Sequence, residues 1–309
     1  MPRSIAMEIL SGILASHGPR APRGGPVGDR EFEAGNFDRL EISGPVDVEV
    51  EAGAAPRVRA TGPEWALDNL SIENDGDRLL IGCNDEMDDV RVLVTAPGLR
   101  ALRASGSGDV SIDQVNGDGF EYSSSGSGDA SIDEIDVRGL RLSGSGSGDI
   151  RIRRVRSDAF EAAITGSGDV SIDAVRSAEF KLTANGSGDT ALDEYCGEMF
   201  EVVITGSGDL AVGKLEAETV AFQLFGSGDV SIRRGRATDA RFETSGSGDI
   251  AADGLAVKEA KISVCGSGDI AACVAEQANI AIMGSGDVAV TGGAKCTISG
   301  SGSGEVRQA

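Results

Sequence analysis

The sequence is poor in the residues that globular enzymes use most freely. Its 309 residues hold one histidine, one tryptophan and only 4% aromatics. The lone histidine, His17, stands in an N-terminal leader, so neither a histidine-based triad nor a histidine metal cluster can be assembled in the body of the chain. So few rings exclude a broad core filled by aromatic residues, whereas a narrow core of Val, Ile, Leu and Ala needs none. No run approaches the roughly 20 consecutive apolar residues that span a bilayer, which argues against membrane insertion. Basic residues are short as well: 28 Lys and Arg face 50 Asp and Glu, leaving a net charge of −22. A surface of that sign repels phosphates and anionic lipid heads, and nucleic acid is excluded as a partner. Cys83, Cys196, Cys265, Cys273 and Cys296 are odd in number and include no CxxC. They read as free thiols of the core rather than as a disulfide framework or zinc site.

What the chain has is glycine, 45 residues of it, and the glycine is periodic. Gly-Ser-Gly-Asp begins at Gly106, Gly126, Gly146, Gly166, Gly186, Gly206, Gly226, Gly246 and Gly266, a spacing of 20 residues each time; the period then shortens to 18, giving Gly284 and a final Gly-Ser-Gly-Glu at Gly302. Two, four and six residues before the corner stand apolar residues: Ile164, Ala162 and Phe160 in one repeat, Ile204, Val202 and Phe200 in another. After the Asp, the alternation resumes with Val110 and Ile112, Ile150 and Ile152, Val170 and Ile172, and a further apolar residue follows three positions on, as in Val115, Val155 and Tyr195. Period two is that of a strand with one buried face. Each repeat is therefore strand, corner, short strand and second bend. Such a unit cannot bury its apolar residues alone, and stacking equivalent strands in parallel at about 4.8 Å per coil buries them in one column. The predicted fold is all-β, a right-handed parallel β-helix (a single-stranded β-solenoid) with about 20 residues per coil. Glu121, Arg141, Glu161, Lys181 and Glu201, five residues before successive corners, become neighbours along the rod with alternating charge.

Residues 1–29 form a leader: Arg3 and the apolar run Ile5 to Ala15 resemble an export signal interrupted by Glu8, and the stretch from His17 to Asp29, rich in Gly, Pro and Arg, is a flexible linker. Residues 30–104 form an N-terminal β-region with a degenerate coil, in which Gly44-Pro45-Val46-Asp47 replaces the corner, and with capping strands at Arg57–Ala60, Leu79–Ile81 and Val90–Thr95. Asn74-Asp75-Gly76 marks a hairpin there, and Trp65 packs in this region. Residues 105–309 are the regular array. Its last residues offer little to cover the end coil, which makes that coil a candidate surface for self-association into a homo-oligomer.

At this point a resemblance becomes specific. Phe37 to Gly44, Asp47 to Val50, Arg91–Thr95 followed by Ala96-Pro97-Gly98-Leu99, and Ser105-Gly106-Ser107-Gly108-Asp109-Val110 resemble the head GIN domain family of auto-transporter adhesin-like proteins, over roughly residues 30–308. The resemblance implies a bacterial β-helical domain of secreted or envelope proteins, periplasmic or extracellular, with no established catalytic residues and no ligand to carry over.

The corner is the one motif with chemical content. Its glycines supply positive φ and room for close backbone approach, and Ser107 and its equivalents can form a hydroxyl ladder. Asp109, Asp129, Asp149, Asp169, Asp189, Asp209, Asp229, Asp249, Asp269 and Asp287 stack as a carboxylate column. Carboxylates about 4.8 Å apart repel by roughly 0.9 kcal/mol per pair even at the dielectric of water. Either backbone N–H groups of each Asp's own corner answer that charge, or the column holds cations, calcium being the candidate metal. Calcium-binding Gly/Asp nonapeptide repeats place the Asp differently and need loops on both sides, a poor match. A second acidic row, Asp113, Asp133, Asp173, Asp193 and Asp253, is interrupted by Arg153, Gly213 and Arg233 and reads as a solvated face. The outward positions Ser123, Ser143, Ala163, Thr183, Val203 and Gln223 are too mixed for an ice-binding array. No catalytic residue and no cofactor is assigned. The expected function is a noncatalytic module for surface binding, adhesion or scaffolding, with a protein or glycan partner; the alternatives are a carbohydrate-active enzyme on a β-helix, and a self-assembling or cation-binding solenoid.

Overall fold

The computed structural model describes residues 26–83 and 90–309. Residues 1–25 of the leader, with its export-signal reading and His17, lie outside the described residues; its last residues, Val27 to Asp29, are not flexible linker but the start of a strand paired antiparallel with Thr61 to Pro63.

The array forms as the periodicity requires. In the strand Val110–Ser124, inward positions are buried and their neighbours exposed, and the same pattern recurs in Ala130–Gly144, Ile150–Ile164 and Val170–Ala184. Equivalent residues pair in parallel from coil to coil: Val110 with Ala130, Ala130 with Ile150, Ile150 with Val170, and so on to Val288 with Val306. The chain is a parallel β-solenoid. The shorter period near the end is absorbed at the second bend, where the register between Ile250–Val264 and Ile270–Ile282 shifts; the corner and the strand before it stay aligned.

One ring per coil fills the middle of the core. The ring stands six residues before the corner in Phe160, Phe180 and Phe200, then four before it in Phe222 and Phe242, where Val220 and Ala240 take the vacated site. The rings form one continuous stack with centroids 5.1, 4.8, 5.7 and 5.9 Å apart, joined from the side by Tyr195 at 4.9 Å from Phe200. Such offset and edge contacts add about 0.5–1.5 kcal/mol each to simple burial.

Two of the four opposite-sign contacts in the charge row are ion pairs, Arg141 with Glu161 at 3.5 Å and Lys181 with Glu201 at 3.7 Å, while Glu121 turns to Arg103. These pairs are exposed, and they fix register more than they stabilise.

The N-terminal end is built differently from a simple leading coil. Its elements are β1 (Val27–Phe32), β2 (Arg39–Ser43), β3 (Asp47–Ala52), β4 (Arg57–Pro63), α1 (Glu64–Asn69), β5 (Leu70–Asp75), β6 (Arg78–Cys83), β7 (Arg91–Ala96) and β8 (Ala101–Ser105). β2 lies between β6 and β8, and β3 lies between β7 and the first array strand, all in parallel. The degenerate coil is thus sandwiched, and the coil of β6 and β7, later in sequence, is the outer one. Antiparallel strands cover its edge: β5 on β6, β4 on β7, and β1 on β4. Their reversed polarity ends the parallel ladder, which protects an edge that would otherwise invite pairing. The β5–β6 turn is Gly76-Asp77, with Gly76 at φ 65°, a conformation that favours glycine. α1 buries Ala66 and Leu67, while Trp65 packs half-buried against the core.

Two sequence expectations give way. None of the five cysteines is buried: Cys196 and Cys265 are exposed, and Cys83, Cys273 and Cys296 are half-buried. Cys196, Cys265 and Cys273 take outward register positions, whereas Cys83 and Cys296 take inward ones at strand ends and pack half-buried against the core. The glycines of the regular corners do not need positive φ either; among the corners from Gly106 to Gly286 only Gly106, at 143°, has it.

Candidate functional site

Backbone proximity is what the corner demands. A Cβ added to Gly126 would collide with the carbonyl oxygen of Gly106, and one on Gly128 with that of Gly108, and the same holds coil after coil. With both side chains absent, Ser127 and Gly128 each donate an N–H to the Gly106 carbonyl, at 2.8 and 3.3 Å. The backbone ladder therefore continues through the turn instead of opening there.

One donor at each corner has no carbonyl to meet, and the carboxylate supplies its acceptor. The Asp129 N–H donates to Asp109 Oδ1 at 2.9 Å, Asp149 to Asp129 at 2.8 Å, Asp169 to Asp149 at 2.8 Å and Asp189 to Asp169 at 2.8 Å. The series runs on through Asp209, Asp229, Asp249, Asp269 and Asp287 at 2.7–2.9 Å. The donor thus comes from the next coil, not from the carboxylate's own corner as the sequence suggests. The Asp129 carbonyl in turn accepts from the Val110 N–H at 2.8 Å, so one residue ties two coils in both directions.

The column is longer than the ten aspartates of the motif. Asp47 begins it, accepting from the Asp109 N–H at 3.0 Å, and Glu305 closes it, donating to Asp287 at 2.9 Å. The alignment of Gly44-Pro45-Val46-Asp47 with the corner was the sequence signal for the first.

The second carboxylate oxygen stays outward. Among the described residues it has an ion-pair partner only at Asp287, where Arg307 lies 3.3 Å away. Along the first coils the column walls an open groove of about 600 Å³, with Asp109, Asp129, Asp149 and Asp169 on one side and Arg91 and Arg151 at its margins. No group of three or more His, Cys, Asp or Glu is gathered for a metal among the described residues. The second acidic row is broken by ion pairs, Asp133 with Arg153 at 3.6 Å and Asp173 with Arg151 at 3.5 Å.

The expected hydroxyl ladder lies elsewhere. Ser107 and its equivalents make no side-chain hydrogen bond among the described residues. The bonding hydroxyls stand just before the corner: Ser145 to the Ser124 carbonyl and Thr165 to the Gly144 carbonyl, both at 3.4 Å, and Thr205 to Asn185 Oδ1 at 2.6 Å.

Uniform coils, a continuous ladder and a repeated outward carboxylate define a β-solenoid repeat protein whose surface is periodic. Within that class its place is specific. The family model described as "Putative auto-transporter adhesin, head GIN domain" matches residues 36–195 and 192–294, and the chain belongs to that family. Solved structures with a similar course include a putative adhesin from Bacteroides fragilis NCTC 9343, 15% identical with a TM-score of 0.35, covering 93% of this chain and 98% of that one. A putative adhesin from Parabacteroides merdae ATCC 43184 is 15% identical with a TM-score of 0.43, over 92% and 97% of the two chains. A protein from Parabacteroides distasonis ATCC 8503 titled a putative lipid binding protein is 20% identical with a TM-score of 0.35, again over 92% and 97%. No curated protein matches the chain.

Proposed function

We propose that this chain is a noncatalytic binding rod of the bacterial cell envelope, in which the 105–309 array presents a repeated surface and the 30–104 region caps it. The observation that carries the reading is the corner column. Every motif carboxylate performs the same structural task, accepting the next coil's N–H, so the conserved-looking chemistry of the repeat is spent on stacking coils. What remains for function is the outward surface, which suits a protein or glycan partner held by many small contacts. Membership of the adhesin-head family supports the same reading.

The test is location and attachment together. Antibody labelling of intact cells that express the full chain is expected to be positive, and the purified chain is expected to retain on immobilised envelope or host-surface glycans and proteins. A strictly cytosolic chain would end the proposal, as would sugar release from polysaccharide substrates.

A second reading rests on the final described coil. Lys295–Gly300 is exposed along almost its whole length, with Ile298 at 56% of its surface accessible. Docking of a second copy there predicts a concentration-dependent dimer that disappears on removal of residues 284–309, as read by size-exclusion chromatography.

A further inference from the structure

The final coil is built as one more layer of the core, and among the described residues nothing lies on it. Ile298, on the inward row of Lys295–Gly300, keeps 56% of its surface in solvent, while Ile280 and Ile262, at the same position one and two coils earlier, keep 1% and 2%. The backbone points the same way. Before the corner, the Cys265 N–H donates back to the Thr244 carbonyl and the Ser301 N–H to that of Ile282, so inward carbonyls face the following coil. After the corner, the inward Val288 N–H donates forward to the Glu305 carbonyl. By the same rule Cys296, Ile298 and Gly300 on one side of the final coil, and Val306 on the other, direct backbone groups off the end of the rod.

The period of this coil makes its edge complementary to itself. From Gly284 to Gly302 the coil takes 18 residues, so residues half a period apart, such as Thr297 and Val306, stand on opposite sides of it. A two-fold axis across the rod end that enters at Thr297 therefore emerges at Val306. It lays Cys296 against the partner's Ile298, twice by symmetry, and Val306 against the partner's Val306. Antiparallel strands then meet inward row to inward row, with the unpaired backbone groups of each facing those of the other. The same axis sets Glu305 against the partner's Arg307, an opposite-sign pair repeated by symmetry. It also sets the Ser301-Gly302 corner against the Gly292-Gly293 bend, whose φ values of 93° and 84° fold it without side chains.

We propose that two copies join end to end here, final coil on final coil about this two-fold, into a rod twice as long. The proposal rests on the docking of a second copy given above as the second reading, and it fixes which surface of that copy is used. The N-terminal end of a second copy is a poor partner. Strand β5 covers β6 on one side, whereas β4 and then β1 cover β7 on the other, so that end is stepped and a flat coil cannot meet both sides. A single strand from another protein pairs with only one side of the coil and leaves the other open. One coil's cross-section is smaller than a standard interface of about 1,600 Å², so the dimer is weak and depends on concentration.

The test is the mass and length of the full chain across concentrations, by sedimentation equilibrium and small-angle X-ray scattering. A monomer–dimer equilibrium is expected, with a dimer about twice as long as the monomer and no thicker. Ile298→Asp is expected to weaken it by about tenfold or more. Glu305→Arg is expected to weaken it as well, and Glu305→Arg/Arg307→Glu, which restores the pair with its signs exchanged, to dimerise more tightly than Glu305→Arg alone. Val27→Asp, at the opposite end, is expected to change nothing. Circular dichroism confirms that each variant folds. A chain that stays monomeric, a thicker rather than longer dimer, or growth beyond the dimer overturns the proposal. A dimer lost on removal of residues 284–309 but indifferent to Ile298→Asp removes this two-fold and leaves the docking reading standing. A dimer that survives that removal takes away both.

Discussion

At the scale of single residues, glycine and aspartate divide the work of the corner, and each can be tested against a control within the array. An added methyl group at Gly188 would overlap the Gly168 carbonyl, and the coils could accept it only by separating. Gly139 lies in open space with an ordinary backbone. Gly188→Ala is therefore expected to cost about 3 kcal/mol or more, as overpacking against rigid backbone does, while Gly139→Ala is expected to be neutral or slightly stabilising. Urea denaturation of both variants checks the contrast; equal effects would mean that the corners pack more loosely than the structure has them. The aspartate series isolates the acceptor from the charge. Asp189→Ala removes the partner of the Asp209 N–H, and the exposed site lets water replace part of it, so about 1 kcal/mol should be lost. Asp189→Asn keeps an oxygen acceptor and removes a like charge from the column, so it is expected to cost less than Asp189→Ala. An Asn variant as damaging as the Ala variant would show that the negative charge itself is needed.

At the scale of elements, the second bend and the core strands depend on two buried phenols, the only tyrosines in the chain. Tyr195 Oη lies 2.6 Å from the Met199 carbonyl and 2.9 Å from that of Ser177, so its hydroxyl closes the bend. Burial pushes the Tyr122 hydroxyl up to about 12 and raises that of Tyr195 as well. The folded state thus holds these protons more tightly than the unfolded chain, whose tyrosines ionise near 10. By linkage, their stabilisation is complete below about pH 10 and is lost as pH rises toward 12, on the order of 3 kcal/mol for Tyr122 alone. Tyrosinate absorbance is expected to stay flat through pH 10 and then rise together with loss of the β circular-dichroism signal. Ionisation well before unfolding would place the rings nearer to water. These rings also mark how far the sequence could be read. Tyr195 and the Phe160–Phe200 row were legible as inward because alternation and constant spacing fix the face of every residue. The same logic assigns Cys196, next to Tyr195, and Cys265, next to the corner, to the outside, and a compositional habit of cysteine obscured it. The source of each aspartate's donor was hidden because the two partners lie a full coil apart, and a local turn rule cannot see the next coil. The sandwiching of β2 and β3 was hidden for a related reason: a degenerate coil carries its own alternation but no mark of which neighbours it stacks on.

At the scale of the whole molecule, the rod balances like charge against a ladder. Neighbouring column carboxylates repel by roughly 0.9 kcal/mol each even in water, and the overall −22 adds a longer-range self-repulsion. The bonds from coil to coil offset this, because each Oδ1 is occupied by a backbone N–H. Except at Asp287, where Arg307 answers it, the outward Oδ2 faces solvent, where screening acts on it. Two consequences separate a screened column from one that holds metal. Raising sodium chloride from low to moderate concentration should raise the melting temperature, since screening shortens the range of repulsion to about 8 Å at physiological ionic strength. Calcium at matched ionic strength should then add nothing beyond sodium, and a chelator should take nothing away. A calcium-specific rise of several degrees, reversed by chelation, would assign the outward oxygens to bound cations and make the column a binding site. The comparison is best made on Asp189→Asn as well as on the parent chain. Screening alone predicts a smaller salt response in the variant, because one column charge is gone, whereas a metal site would lose its calcium response at the altered corner.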